Sequence, residues 1–332
     1  MFEFNEWSGP LLPGFLQGLT FAAILCVRGY REERISDYLA ALLLLAGSLY
    51  VGQWMLGFAG WYDAHDWRTT LMFYVEWKNL LAFGPLIWLY FRALTNTDFR
   101  WERKYWWHFL PLGIVLLQPL FIFLYDFGYW QLIRGEEFTL FHNTRGPAAE
   151  WDNGDNGIHF LVFQFLFAFS FFHLIFYLVR TLLDYRAYRR YLTREFSNAE
   201  QLTFSSLRFT LYLMLIGVLL TLLLEVGNLL YSTSYVDSWD SYFVMSVFNF
   251  LVAIQLLAIN PRLTRALRFQ PGNEPVVDSP PSPATAAVSA DPELRAWATK
   301  LTTRLDGQRD FLNPDLKLGD LAEAIGTNSS VL

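Results

Sequence analysis

Seven long apolar segments dominate the first 260 residues of this chain. A helix needs roughly 20 mostly apolar residues to cross a hydrocarbon core of about 30 Å. Backbone polar groups in lipid must be paired within the spanning structure, which favours helices over open strands. The segments that meet this requirement lie at approximately 11–28, 37–59, 71–93, 106–127, 158–180, 206–231 and 240–260. The sequence therefore predicts an all-α fold with a seven-helix transmembrane bundle over residues 1–260.

The composition agrees with a membrane protein. Of the 332 residues, 54% are hydrophobic and only 17% are charged, whereas soluble domains carry about 25% charged residues. The N-terminus lacks the basic region of a signal peptide, so we expect the first apolar segment to stay in the mature protein. The single cysteine, Cys26, excludes an intrachain disulfide and a structural cysteine metal site.

The distribution of basic residues predicts the orientation. Sixteen arginines and lysines follow the first, third, fifth and seventh segments, whereas only Arg68, Arg134 and Arg145 lie on the opposite side. The positive-inside rule then places the N-terminus outside and the C-terminus in the cytoplasm of a bacterial inner membrane. Residues 180–196 repeat Leu and Tyr near helical spacing, which also allows the fifth segment to continue as a helix into the cytoplasm.

Polar side chains gather in the predicted outer half of the bundle. Ionisable groups at membrane depth are functional candidates, and we consider a water-accessible ligand pocket in which Glu225 lies near enough to pair with Lys78. The alternative is that the polar groups only hold helices together. Ser246 and Asn249 of the seventh segment are predicted to form interhelical hydrogen bonds. The candidate pocket residues are Gln53, Glu76, Lys78, Gln118, Gln164, Glu225 and Asn228.

The composition changes after residue 260. Residues 261–290 form a basic stub and a linker rich in Pro, Ser and Ala, which indicates a flexible tether. In residues 291–332 a first helix is predicted after Asp291, and a second ends at Gly326, which suits a left-handed stop. Asn328 can cap a further helix, and this order is typical of a helix-turn-helix.

These last residues resemble a known family. The stretch "FLNPDLKLGDLAEAIGTNSSVL" is similar to the start of the AraC/XylS-type DNA-binding domain, through Leu316, Leu318, Leu321, Ala322, Ile325 and Gly326. Asn328, Ser329 and Ser330 match the beginning of its recognition helix. The stretches "LLAFGPLIWLYFRAL", "WWHFLPLGIVLL" and "REFSNAEQLTFSSLRF" resemble spans of a subgroup with seven-span N-terminal regions, common in Bacteroidota-like bacteria.

The resemblance implies a membrane-bound one-component transcription regulator, with an extracytoplasmic ligand, DNA and a second copy in a homodimer as partners. The family has two helix-turn-helix units, whereas this sequence stops within the first, so we expect a C-terminally truncated domain without specific DNA binding. Residues 291–332 also carry seven acidic and five basic side chains, a poor balance for binding phosphate.

The alternative is a transporter or ligand-binding receptor without DNA binding. HExxH, GxSxG and glycine-rich phosphate motifs are missing, so no enzyme, metal or cofactor is expected.

Overall fold

The computed structural model describes most of the predicted bundle and short pieces of the C-terminal region. The chain divides into two units, Met1–Glu274 and Pro275–Leu332. Throughout the described residues the secondary structure is helical, and the only strand-like feature there is one isolated bridge between Asn96 and Arg268. The described residues are 3–64, 67–72, 74–75, 77, 80–136, 146–148, 158–195, 205–231, 239–259, 267–271, 297, 299–304, 307, 324 and 326.

Eight α-helices are described in the first unit. The stretch Arg103–Ile133 is continuous, because a 3₁₀-helix precedes α5 and the π-helix Leu124–Ile133 follows it. The helices are α1 (Leu12–Glu32), α2 (Ile35–Phe58), α3 (Trp67–Met72), α4 (Leu80–Thr95), α5 (Leu110–Phe123), α6 (Ile158–Glu195), α7 (Ser205–Tyr231) and α8 (Trp239–Ala258).

Several of these helices are compatible with membrane crossing, as the sequence predicted. Among the described residues, five helical stretches are long and apolar enough to span a membrane, namely Gly9–Glu32, Ile35–Phe58, Arg103–Ile133, Ala168–Thr193 and Trp239–Ala258. The other two predicted spans fall on shorter apolar helical stretches, Leu80–Thr95 and Arg208–Leu224. The all-helical prediction is therefore confirmed, and the described apolar helices are compatible with a multi-pass membrane protein, while the full count of seven spans stays a prediction.

The prediction of a single helix over residues 71–93 was wrong. Helix α3 ends at Met72, and α4 begins only at Leu80. In a continuous helix the Met72 carbonyl would accept a hydrogen bond from the amide four residues later. It accepts hydrogen bonds from the Val75 amide at 3.4 Å and from the Trp77 indole Nε1 at 2.9 Å, and the Tyr74 amide bonds to the Leu71 carbonyl at 3.1 Å. Tighter turns and an indole donor therefore follow the end of α3.

Five helices form a ring. Each of α2, α4, α6, α7 and α8 contacts the next, and α8 returns to α2. Helix α1 packs outside this ring against α2 and α8, and α5 contacts α4. This arrangement leaves the interior of the ring as the place where side chains from five helices meet.

Helix α1 joins the ring through a tight seam of small residues. Gly14, Gly18 and Ala22 lie at four-residue spacing and are buried, which allows close backbone approach between apolar helices. The Asn249 Nδ2 group of α8 donates to the Gly14 carbonyl at 3.0 Å and to Ser48 Oγ of α2 at 3.1 Å. The Ser246 hydroxyl donates to the Leu11 carbonyl. The predicted interhelical role of Ser246 and Asn249 is thus confirmed.

The seam generates a stability prediction. A Cβ atom at Gly18 would overlap Ser48 Oγ and Asn249 Nδ2, whereas a Cβ at Gly113 of α5 meets nothing within 4 Å. We expect Gly18→Ala to destabilise the bundle by about 1–3 kcal/mol through overpacking. Thermal unfolding in detergent should show a lower midpoint for Gly18→Ala and an unchanged or higher one for the control Gly113→Ala. Equal midpoints for both variants would contradict the close packing of the seam.

Candidate functional site

The predicted outer pocket is described only in part. Gln53 of α2 is half-buried, and Gln118 of α5 is exposed. The backbones of Gln164, Glu225 and Asn228 lie in α6 and α7, but their side chains lie outside the described part of the structure. Glu76 and Lys78 also lie outside the described residues. The proposed pairing of Glu225 with Lys78 therefore stays a prediction.

The ring interior holds a cavity with an apolar wall. Its volume is about 60 Å³, and its lining includes Leu43, Phe83, Leu174, Val218, Phe248 and Val252. The polar side chains among its lining residues are Tyr50, Thr221 and Asn249. An apolar cavity remains dry and accepts apolar groups. Gln53 and Gln118 do not line this cavity, so it differs from the polar pocket that the sequence predicted.

The cavity lies near the middle of the ring helices. Leu43 and Tyr50 flank the centre of α2, while Met214 and Thr221 flank the centre of α7. Sequence periodicity identifies which helix faces point inward, but it does not show where inward side chains fail to fill the space between helices. The sequence therefore carries no signal for this cavity.

A buried carboxylate, that of Asp126, lies in the π-helix that follows α5. Asp126 is fully buried within the π-helix and accepts hydrogen bonds from the Tyr74 hydroxyl at 2.7 Å and from the amides of Gly146 and Ala148 at 3.0 and 2.9 Å. These donors satisfy a group that burial would otherwise penalise. Asp126 thereby anchors residues 146–148 of the long connection before α6. Asp126 was not predicted from the sequence, although it is a lone acidic residue in the apolar run "FIFLYDF".

A short segment after α8 is docked against the bundle. We call Leu267–Phe269 the docked segment. The Thr97 amide donates to the Leu267 carbonyl at 2.8 Å, and the Phe269 amide donates to the Thr95 carbonyl at 3.0 Å. Together these bonds form the antiparallel bridge at Asn96 and Arg268. The docked segment is therefore held by backbone hydrogen bonds to the end of α4.

Side chains secure the docked segment as well. Leu267 and Phe269 are only 0% and 3% exposed. The Phe269 ring packs against Phe91 of α4 and against Tyr188 and Tyr191 of α6, with the Tyr188 ring centroid at 5.4 Å. Both tyrosines lie in the part of α6 beyond residue 180, so the predicted continuation of that helix is confirmed. The segment that leads into the tether thus contacts two ring helices.

The C-terminal unit contains two features that the sequence predicted. Trp297 and residues 299–304 are helical, and Gly326 has a φ of 78°, in the left-handed region. Within this unit, a Cβ at Gly326 would approach the Trp297 ring to 4.0 Å. Asn328, Ser329 and Ser330 lie outside the described residues, so their DNA-binding role stays a prediction.

Comparison of the chain with known protein families, with curated protein sequences and with solved structures finds no match in any of the three. Among the described residues, no group of three or more His, Cys, Asp or Glu side chains is arranged to hold a metal ion.

The docked segment generates a prediction about local stability. Replacing a buried Phe by Ala costs about 3–5 kcal/mol, so Phe269→Ala should release the segment from α4 and α6. Hydrogen exchange at the amides of Thr97 and residue 269 should then accelerate more than about tenfold. The control Phe209→Ala removes a ring that is 53% exposed and should leave these amides protected. Unchanged exchange in Phe269→Ala would show that the segment is held by something other than this ring.

Proposed function

We propose that this protein is a membrane-bound one-component transcription regulator. In this proposal a seven-helix bundle, with its N-terminus outside and its C-terminus in the cytoplasm, senses a signal from the outer side. It passes the signal to a cytoplasmic DNA-binding domain of which residues 291–332 are the beginning. The membrane is a bacterial cytoplasmic membrane, as the distribution of basic residues favours.

The docked segment is the observation that carries the proposal. Phe269 is packed on α4 and α6, and the tether begins directly after it. A shift of α4 relative to α6 changes the surface on which Phe269 rests. The docked segment therefore provides a physical link by which a rearrangement of the ring reaches the linker.

The apolar cavity supports a sensing role for the ring. Its wall is built from all five ring helices, including α4 and α6, which hold the docked segment. A ligand shifts a conformational equilibrium only by its differential affinity for the two states. An apolar molecule that fits the cavity in only one of two arrangements of the ring binds those arrangements with different affinities. The polar outer residues, from Gln53 to Asn228, remain the alternative place for the signal.

The DNA-binding part is supported by the resemblance to the AraC/XylS-type domain. The left-handed turn at Gly326 and the helix that contains Trp297 agree with that resemblance. Recognition helices read base edges with residues near their N-termini, and the resemblance assigns Asn328, Ser329 and Ser330 to those positions. Paired half-sites favour a homodimer as the DNA-bound form.

The proposal predicts sequence-specific DNA binding by the product of the native gene. In nanodiscs this protein should enrich specific sites from genomic DNA. Asn328→Ala/Ser329→Ala should weaken discrimination between bases by about 1–3 kcal/mol for each base that the removed side chain recognises.

Thr303→Ala is the matched control for this experiment. Thr303 is an exposed helical residue outside the predicted recognition helix, and its hydroxyl bonds only to the Thr299 carbonyl within the described residues. This variant should keep the enriched sites. A native protein that enriches no DNA would contradict the proposal. That result would favour a receptor or transporter without DNA binding.

A further inference from the structure

Trp88 lies at the centre of a polar cluster between α4, the start of the α5 stretch and α6. Its side chain is buried, and its Nε1 group donates a hydrogen bond to Asp184 Oδ2 at 3.0 Å. The His108 ring lies 4.7 Å from the Trp88 ring, and its Nδ1 is 2.6 Å from the Tyr177 hydroxyl. These contacts fix the indole plane.

Two arginines lie over this indole ring. The guanidinium carbons of Arg92 from α4 and Arg180 from α6 each lie 5.0 Å from the Trp88 ring centroid. Arg92 is half-buried and Arg180 is exposed. Stacking on an aromatic face stabilises a guanidinium through its plane and leaves the N–H groups at its edge available. The fold therefore presents two oriented cations on one buried ring.

The charges around the pair leave an excess of positive charge. In the part of the chain that the structure describes, neither Arg92 nor Arg180 forms an ion pair or hydrogen bond. Lys104 is paired with Glu102 at 2.8 Å. Asp184 interacts electrostatically with both arginines, and its Oδ2 accepts from Trp88, so one carboxylate faces two guanidiniums. The titratable neighbours of the pair also include His108, Tyr177 and Tyr105, whose ring lies 5.9 Å from the Arg92 guanidinium.

The predicted fifth span, 158–180, ends at Arg180 and so places it at the level of the inner lipid headgroups. Arg180 is roughly 33 Å along α6 from Ile158, at a rise of about 1.5 Å per residue, and the hydrocarbon core is about 30 Å thick. Arg92 lies in the last turn of α4. With the predicted orientation, both guanidiniums reach the inner interface of the membrane.

We infer that Arg92 and Arg180, braced on Trp88, form a binding site for the phosphate of an anionic lipid headgroup in the inner leaflet. Arginine binds phosphate through paired N–H donors, and basic pockets between transmembrane helices on the cytoplasmic side bind such headgroups. A guanidinium that is already oriented loses less conformational freedom on binding. The site joins α4 to α6, the two helices that hold the docked segment. It does not depend on DNA binding.

Lipid binding to the purified full chain tests this inference. Phosphatidylglycerol, phosphatidylcholine and inorganic phosphate are titrated separately, and bound lipid is counted by native mass spectrometry. Affinity for phosphatidylglycerol should fall about tenfold or more in Arg92→Gln/Arg180→Gln, through loss of charge-assisted hydrogen bonds. The control Arg186→Gln/Arg189→Gln removes two exposed cations further along α6 and should bind like the unchanged protein.

Two further comparisons distinguish a specific binding site from general electrostatic attraction between basic side chains and anionic lipid. Arg92→Lys/Arg180→Lys keeps both charges but replaces the planar guanidinium groups and their paired N–H donors with ammonium groups. This variant should also lose affinity for phosphatidylglycerol. Arg180→Gln alone alters only an exposed side chain, so it tests the site even if the double variant fails to fold. Equal loss in the Arg186/Arg189 control, full retention in the Lys variant, or no loss in Arg180→Gln would overturn the inference. Competition by inorganic phosphate at the same concentration as the lipid would indicate a free-phosphate site instead.

Discussion

The hydrogen bonds of Asn249 connect three helices at the middle of the bundle. Its amide group reaches a backbone carbonyl of α1 and a hydroxyl of α2 because glycines at positions 14, 18 and 47 allow the helices to approach closely. An unsatisfied amide in hydrocarbon costs several kcal/mol. Helix α8 therefore cannot move away from α1 and α2 without losing both hydrogen-bond partners of Asn249.

The same residue connects the seam to the cavity. Asn249 also lines the apolar cavity, whose opposite wall is formed by α4 and α6. Those two helices carry the docked segment at one end of the bundle. One side of the ring is fixed by the interhelical hydrogen bonds of Asn249, while α4 and α6 are joined by apolar and aromatic contacts and by the hydrogen bond from Trp88 to Asp184. A movement of α4 against α6 is the change that the docked segment is placed to report.

The sequence predicted the features that depend on local pattern. Apolar length identified the membrane helices, polar side chains in an apolar helix identified Ser246 and Asn249, and a glycine after a helical repeat identified the turn at Gly326. The break after Met72 was missed because it depends on which group the Met72 carbonyl accepts from, and composition does not show that. The docked segment was missed because three residues are too few for periodicity, although Leu267 and Phe269 on either side of Arg268 follow an alternating pattern. The cavity was missed because it depends on how side chains from five helices fill a shared space.

The proposed transfer of a signal from the outer side to the cytoplasm is tested most directly by locating the two ends of the bundle relative to the membrane. In a Cys26→Ser background, single cysteines are placed at the exposed positions of Glu6 and Gln270 and labelled in intact cells with a membrane-impermeant maleimide. With the N-terminus outside and the C-terminus in the cytoplasm, Glu6→Cys should react in intact cells and Gln270→Cys should react only after permeabilisation. If both positions react from the same side, the number of crossings is even. The tether would then lie on the same side of the membrane as the N-terminus, which contradicts a cytoplasmic relay from an outer signal.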